Sequence, residues 1–232
     1  MSSFEDAFAL TACSEESSNI ITLYHGTKDI NFKPNYNFKN PNNDYGSGLY
    51  TTPDLELAKE WAMSVYTKGD RAYVFSYELD LTGLNIINLH DEYDFMCWLA
   101  VTILNRPVSE LGPYVGNMLE KFINTYSVDT SSADLVIGWR VDDSYYKFVR
   151  DFVSFRISAE TLECAVKLGN LGLQYMIKSE KAFNRLKFIE SIEVDKSYAE
   201  LFVKRNKEAA ENYLKLKKKG FGSKYLHHII GE

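Results

Sequence analysis

The chain has 232 residues, 45% of them hydrophobic, which suffices for one mid-sized core with a terminal appendage and falls short of two full domains. A formal net charge of −6 argues against a protein that holds nucleic acid through a strongly basic surface. No run of about twenty apolar residues is present and the N-terminal Met-Ser-Ser-Phe-Glu-Asp lacks the regions of a signal peptide, so a soluble, cytoplasmic protein without membrane contact is expected.

Residues 1–19 are polar and without periodicity, an N-terminal arm. The run Ile20-Ile21-Thr22-Leu23-Tyr24 reads as a first, buried strand with His25 standing at its end, where Gly26 would let a ligand approach the backbone. Residues 28–44 form a loop rich in Asn, Pro and Lys, with Phe32, Tyr36 and Phe38 anchoring it to the body, and such loops border binding sites. Tyr45-Gly46-Ser47-Gly48-Leu49-Tyr50 places Tyr50 after a Gly-x-Gly turn. Thr52-Pro53-Asp54 starts a helix with Thr52 as its cap, and Ala58, Trp61, Ala62 and Val65 recur at helical spacing, so that Trp61 faces inward. Trp61 is then either core or one wall of a site. With His25 and Tyr50 it could clamp a flat cationic ring by stacking and cation–π attraction.

Residues 72–81 alternate as a strand. Helices follow at 93–105 and 111–126, then a short buried strand at 135–139 leading into Arg140-Val141-Asp142-Asp143. Two readings of Asp142 and Asp143 stand: acids serving a cleft, or a surface salt-bridge turn with Arg140. Helices at 146–155 and 159–168, a strand at 174–177, a helix or turn at 179–186 and a strand at 188–194 complete the pattern, an α+β domain spanning 20–194. Cys13, Cys97 and Cys164 are scattered and lack metal spacing, so reduced thiols are expected, with Cys164 in the core, and no metal site is predicted. Residues 195–232 form a basic helical tail in which Lys204, Arg205, Lys207, Lys215, Lys217, Lys218, Lys219 and Lys224 gather. It is either a solvated face or a contact for an acidic partner or RNA.

His25-Gly26-Thr27, then Gly46-Ser47-Gly48-Leu49-Tyr50, then Trp61 resembles the ADP-ribosyltransferase superfamily, in the His-Tyr-Glu branch of diphtheria-toxin-like and poly(ADP-ribose)-polymerase-like enzymes. Adding Asp134-Leu-Val-Ile-Gly138, Asp142-Asp143-Ser144-Tyr145 and Leu173-Gln174-Tyr175-Met-Ile-Lys-Ser179, the chain is similar to a bacterial family of unknown function, DUF3990, over roughly residues 20–188. The resemblance implies a split β-sheet with flanking and inserted helices and NAD, as substrate, in the cleft between its halves. It implies that His25 bonds a ribose hydroxyl, Gly26 offers backbone groups to the nicotinamide amide, Thr27 lines the ribose, Gly48 shapes the turn, and Tyr50 and Trp61 sandwich the nicotinamide ring.

At the position of the family's catalytic Glu stands Gln174, which can hydrogen-bond but carries no charge. A carboxylate about 4 Å from a developing unit charge is worth up to ~4 kcal/mol at an effective dielectric of about 20. Its loss is therefore severe for NAD hydrolysis, unless Asp142 or Asp143 compensates, and Gln174→Glu is expected to restore activity. The function implied is transfer of ADP-ribose from NAD to a macromolecular acceptor, protein or nucleic acid, by a bacterial toxin, effector or defence component that a small antitoxin or other partner protein could bind. The alternative is a module of the same fold that holds NAD or ADP-ribose, or a protein partner, without turnover.

Overall fold

A computed structural model describes residues 19–36, 43–64, 70–109, 111–141 and 143–231. Its elements are β1 (Ile20–Thr27), β2 (Leu49–Thr51), α1 (Leu55–Ala62), β3 (Tyr73–Asp80), β4 (Ile86–Asn88), α2 (Phe95–Asn105), α3 (Pro113–Tyr126), β5 (Leu135–Trp139), α4 (Asp143–Val153), α5 (Ala159–Val166), β6 (Leu173–Ile177), α6 (Glu180–Phe183), β7 (Leu186–Glu193), α7 (Ser197–Lys219) and α8 (Leu226–Ile229). The class is α+β, as the sequence pattern requires. Apart from Asn19, the expected N-terminal arm lies outside the described residues, as do Phe38, Val65 and Asp142.

Two sheets carry the strands, in the orders β1-β3-β7 and β2-β6-β5-β4. The first is wholly antiparallel, with β1 and β3 in register from Ile20 opposite Asp80 to Thr27 opposite Tyr73. The second is antiparallel except for the parallel β4–β5 pair. The sheets meet where Tyr24 and Thr52 exchange backbone hydrogen bonds of 2.8 and 3.0 Å. Between the sheets Leu23, Leu49, Leu79, Leu135, Ile137 and Ile177 are buried. Each such side chain contributes about 1.5–3 kcal/mol relative to exposure, which holds the two halves against each other.

A larger core gathers α2, α3, α4 and α5 around Trp98, Phe122, Phe148 and Phe152 on the other side of the second sheet. Helix α1 packs on the first sheet through Ala58, Ala62 and Met63 against Val74. A Cβ at Gly26 would stand 2.3 Å from the Ala58 carbonyl oxygen and 2.7 Å from the Ala62 nitrogen. The missing side chain at Gly26 therefore admits helix α1.

Two further expectations change, and the tail gains contacts that the sequence did not show. The cap of α1 is Asp54, whose carboxylate accepts from the Glu56 and Leu57 amides, while Thr52 is buried in the bridge between sheets. Cys164 is exposed, not core. The basic tail is packed against the body: Tyr213 of α7 stacks on Phe148 with ring centroids 3.9 Å apart and donates to Asp151 at 2.6 Å, and Arg205 pairs with Glu60 of α1.

Candidate active site

Where Tyr24 leaves Thr52 the two sheets part, and a cleft of about 420 Å³ opens between them. Tyr24 spends its N–H and C=O on Thr52. Backbone alternation sends the same groups of Gly26 to the same side, where β2 has diverged, so they face the cleft that Gly26 lines.

His25 lies at the divergence. Its Nδ1 is 2.8 Å from the Tyr50 carbonyl, an acceptor, so Nδ1 carries the proton and Nε2 is an acceptor for an occupant. Burial holds the imidazole pKa below 6.5, only partly offset by that hydrogen bond, so the neutral ring prevails at neutral pH. Phe32 from the loop stacks on the ring, centroids 4.3 Å apart, and fixes its plane.

Tyr50 in β2 is held at its far end as well. Its hydroxyl donates to the Gly46 carbonyl at 2.7 Å and accepts from the Tyr45 amide at 2.9 Å, and burial pushes its pKa up. The hydroxyl thus closes the Gly-x-Gly turn while the ring lines the cleft. Trp61 of α1 lines the same cleft, and the Arg140 guanidinium lies 3.5 Å from its ring centroid. The Trp61 indole N–H is buried without a hydrogen-bond partner among the described residues. The rings of Tyr50 and Trp61 therefore both reach the cleft, with a planar cation already stacked on the second.

Gln174, in β6, reaches the cleft from the other sheet. Its Nε2 donates to Asp44 Oδ2 at 2.7 Å and to the Trp139 carbonyl at 3.4 Å. Asp44 is buried and receives two more donors: Arg106 Nη1 to Oδ1 at 3.1 Å and the Val141 amide to Oδ2 at 3.2 Å. Burial raises the Asp44 pKa above 3.8, against the opposing pull of Arg106, Gln174 and the Val141 amide. Three donors, from the residue after α2, the turn after β5 and strand β6, are the surroundings of an ionised carboxylate.

Asp143, the first residue of α4, lies at the cleft rim with its side chain exposed and pairs with Arg106, not with Arg140. Thr27 and Gly48 do not line this cleft. Thr27 Oγ1 accepts from the Asp29 amide at 3.2 Å. A Cβ at Gly48 would stand 2.3 Å from the Met176 sulfur, so glycine there lets β2 lie on β6. Gly48 also borders a second hollow of about 370 Å³ on the far side of His25 and Tyr50, with Phe32 and Lys33 from the loop. Phe202 of α7 lines the main cleft, so the basic tail helps to build the site.

Among the described residues no group of His, Cys, Asp and Glu has the arrangement of a metal site, and no helix is long and apolar enough to cross a membrane. His227 and His228 are neighbours with ring centroids 3.9 Å apart, set among Tyr225 and Phe155.

The residues that sequence reasoning missed are Asp44 and Arg106, and Arg140 was read only as a turn residue. Asp44 immediately precedes Tyr45-Gly46, but its partner Gln174 is 130 residues away, and pattern reading has no means of joining them.

A family model described as a protein of unknown function, DUF3990, matches residues 21–188. No curated protein and no solved structure matches the chain.

Proposed function

The chain belongs to the DUF3990 family of proteins of unknown function, and from the residues gathered in its cleft we propose that it is an ADP-ribosyltransferase that uses NAD as substrate. One observation carries this reading. His25, Tyr50, Trp61 and Gln174, from four elements and far apart in sequence, converge on one cleft at the parting of two sheets. These are the positions at which the resemblance to the His-Tyr-Glu transferases places the ribose-binding His, the two ring-clamping aromatics and the residue at the head of the catalytic strand. The split between the sheets is likewise the architecture that this resemblance leads one to expect.

The chemistry that fits is cleavage of the bond between ribose C1′ and the nicotinamide nitrogen. The electron pair stays with nitrogen, so nicotinamide leaves neutral and positive charge develops on the ribose. A nucleophile of the acceptor then bonds to C1′ and loses its proton to solvent. Neutral His25 accepts a ribose hydroxyl at Nε2, the Gly26 backbone groups pair with the carboxamide, and Tyr50 with Trp61 hold the ring, so that the geometry for departure exists before the bond breaks. Arg106 and Arg140 on the cleft wall suit the diphosphate. The acceptor is a protein or nucleic acid inside a cell, consistent with a toxin, effector or defence role.

Gln174 favours a second reading, a module that holds NAD or ADP-ribose without turnover. Calorimetry with NAD, followed by a nicotinamide-release assay with and without cell lysate, separates the two. Binding with release supports the transferase, binding without release in any lysate supports the module, and absence of binding refutes both.

A further inference from the structure

We propose that Asp44 and Gln174 act as one unit, in which Asp44 is a positioning residue that fixes and polarises the Gln174 amide toward the ribose, so that the pair does at the head of β6 what a single carboxylate would do. This rests on the transferase reading above.

Gln174 Nε2 has two acceptors, Asp44 Oδ2 at 2.7 Å and the Trp139 carbonyl at 3.4 Å. A flipped amide would set its oxygen against both. One orientation alone satisfies the pair, and in it Oε1 turns away from Asp44 as the acceptor offered to the cleft.

The second step is charge. A carboxylate that accepts from one end of an amide draws electron density to the other, because linked hydrogen bonds polarise one another. The negative charge then stands one amide group behind the ribose. A unit charge about 7 Å from the developing ribose charge is worth up to about fiftyfold in rate at an effective dielectric of about 20, before the opposing charge of Arg106, 3.1 Å from Oδ1, is counted.

The third is the cost of keeping the charge. Burying a carboxylate is unfavourable, and an apolar residue of similar size is often no less stable. Asp44 is nonetheless buried in the cleft wall, with Arg106 from the end of α2, the Val141 amide after β5 and Gln174 from β6 all converging on it. A loop anchor alone does not need a carboxylate beside the residue at the catalytic-strand position.

The test uses the full chain with NAD as probe and follows nicotinamide release in the lysate or acceptor conditions that support the wild type. Asp44→Asn is expected to lower kcat by about tenfold to fiftyfold while KM and the NAD dissociation constant stay within about threefold, because the charge acts on the transition state. The double variant Asp44→Asn with Gln174→Glu keeps one carboxylate and one amide in contact with their places exchanged. Measured against both single variants, it is expected to exceed by at least about tenfold the activity that their separate effects predict, a non-additivity that independent roles would not produce.

A side-chain amide signal of Gln174 shifted by a charged acceptor, and lost in Asp44→Asn, is the expected NMR signature. If Asp44→Asn does not fold, the wild-type amide signal decides: a Gln174 side-chain resonance shifted by a charged acceptor supports the pair, and an unshifted one refutes it. A wild type that binds no NAD, or binds it without release, overturns the transferase reading and this one with it. A wild type that turns over while Asp44→Asn matches it in kcat overturns this one alone.

Discussion

Replacing Gln174 by Glu gives the chain the residue that its resemblance to the transferases leads one to expect, yet the structure predicts a loss of stability. The new carboxylate would occupy the place of an Nε2 that stands 2.7 Å from Asp44 Oδ2. Two unit charges at that separation repel by about 6 kcal/mol at an effective dielectric of about 20. Protonating one of them at pH 7 costs less, about 4 kcal/mol, from a reference pKa of about 4.3 at about 1.4 kcal/mol per unit. The pair therefore holds a proton, and the protonated Glu donates to Asp44 where the amide had done so. The folded state binds a proton that the unfolded chain has released, so stability falls as pH rises above about 4.3. Relative to wild type, Gln174→Glu should lose about 1 kcal/mol at pH 5 and about 4 kcal/mol at pH 7. The neutral-pH loss corresponds to a melting temperature lower by about 8–16 °C for a chain of this size. Denaturant titrations of both proteins at pH 5, 6 and 7 measure it directly. A difference that stays constant across that range would show that Gln174 and Asp44 are not in contact and would remove the basis of the pair.

Tyr50→Phe keeps the ring on the cleft wall but removes the hydroxyl that bonds Gly46 and Tyr45. Denaturation should show a loss of about 1–3 kcal/mol while calorimetric NAD affinity stays within about threefold, whereas Tyr50→Ala should weaken NAD binding by ~1–3 kcal/mol as well. Burial holds the His25 pKa below 6.5, so the unfolded chain takes up a proton first and this contribution to stability is present above pH 6.5 and lost as pH falls below it. The stability of the wild type relative to His25→Gln should accordingly shrink between pH 6.5 and 5, and a constant difference would mean that His25 titrates freely. Truncation after Lys196 removes Tyr213, Arg205 and Phe202 from their contacts on α4, α1 and the cleft. Thermal melts should show a protein that is destabilised or unfolded, and a truncated form with wild-type stability and NAD affinity would show that α7 is an appendage after all.

Much of the fold was legible because its signals are local. The alternation in β3, the apolar run of β1 and the helical spacing in α2 and α3 each declare an element within a dozen residues, and the structure has them within a few residues of the expected bounds. The strands β2 and β4 have three residues each, too few for alternation to register, and they exist because β6 and β5 supply their hydrogen bonds. Cys164 failed for a related reason. Helical spacing groups it with the apolar residues of α5, but the buried stripe is made by Leu162, Ala165 and Val166, and the sulfur falls beside it.

The site divides along the same line. His25, Tyr50 and Trp61 were legible because each follows a local signal, a strand end, a glycine turn or a helical phase, and the cleft brings all three together. The electrostatics were not, because they arise between segments. Gln174 read alone is a catalytic residue that has lost its charge. Read beside Asp44 it is a donor to a buried carboxylate, and the substitution that looked like a repair becomes a collision of like charges. Arg140 gains a role in the same way, as a cation stacked on Trp61, while Arg106 pairs with Asp44 on one nitrogen and Asp143 on the other. A nicotinamide seated on the Trp61 face that Arg140 covers has to displace a contact worth about 0.5–2 kcal/mol. On the proposed transferase reading, seating nicotinamide on that face requires the Arg140 side chain to move, and a diphosphate at the cleft wall is the group best suited to receive it.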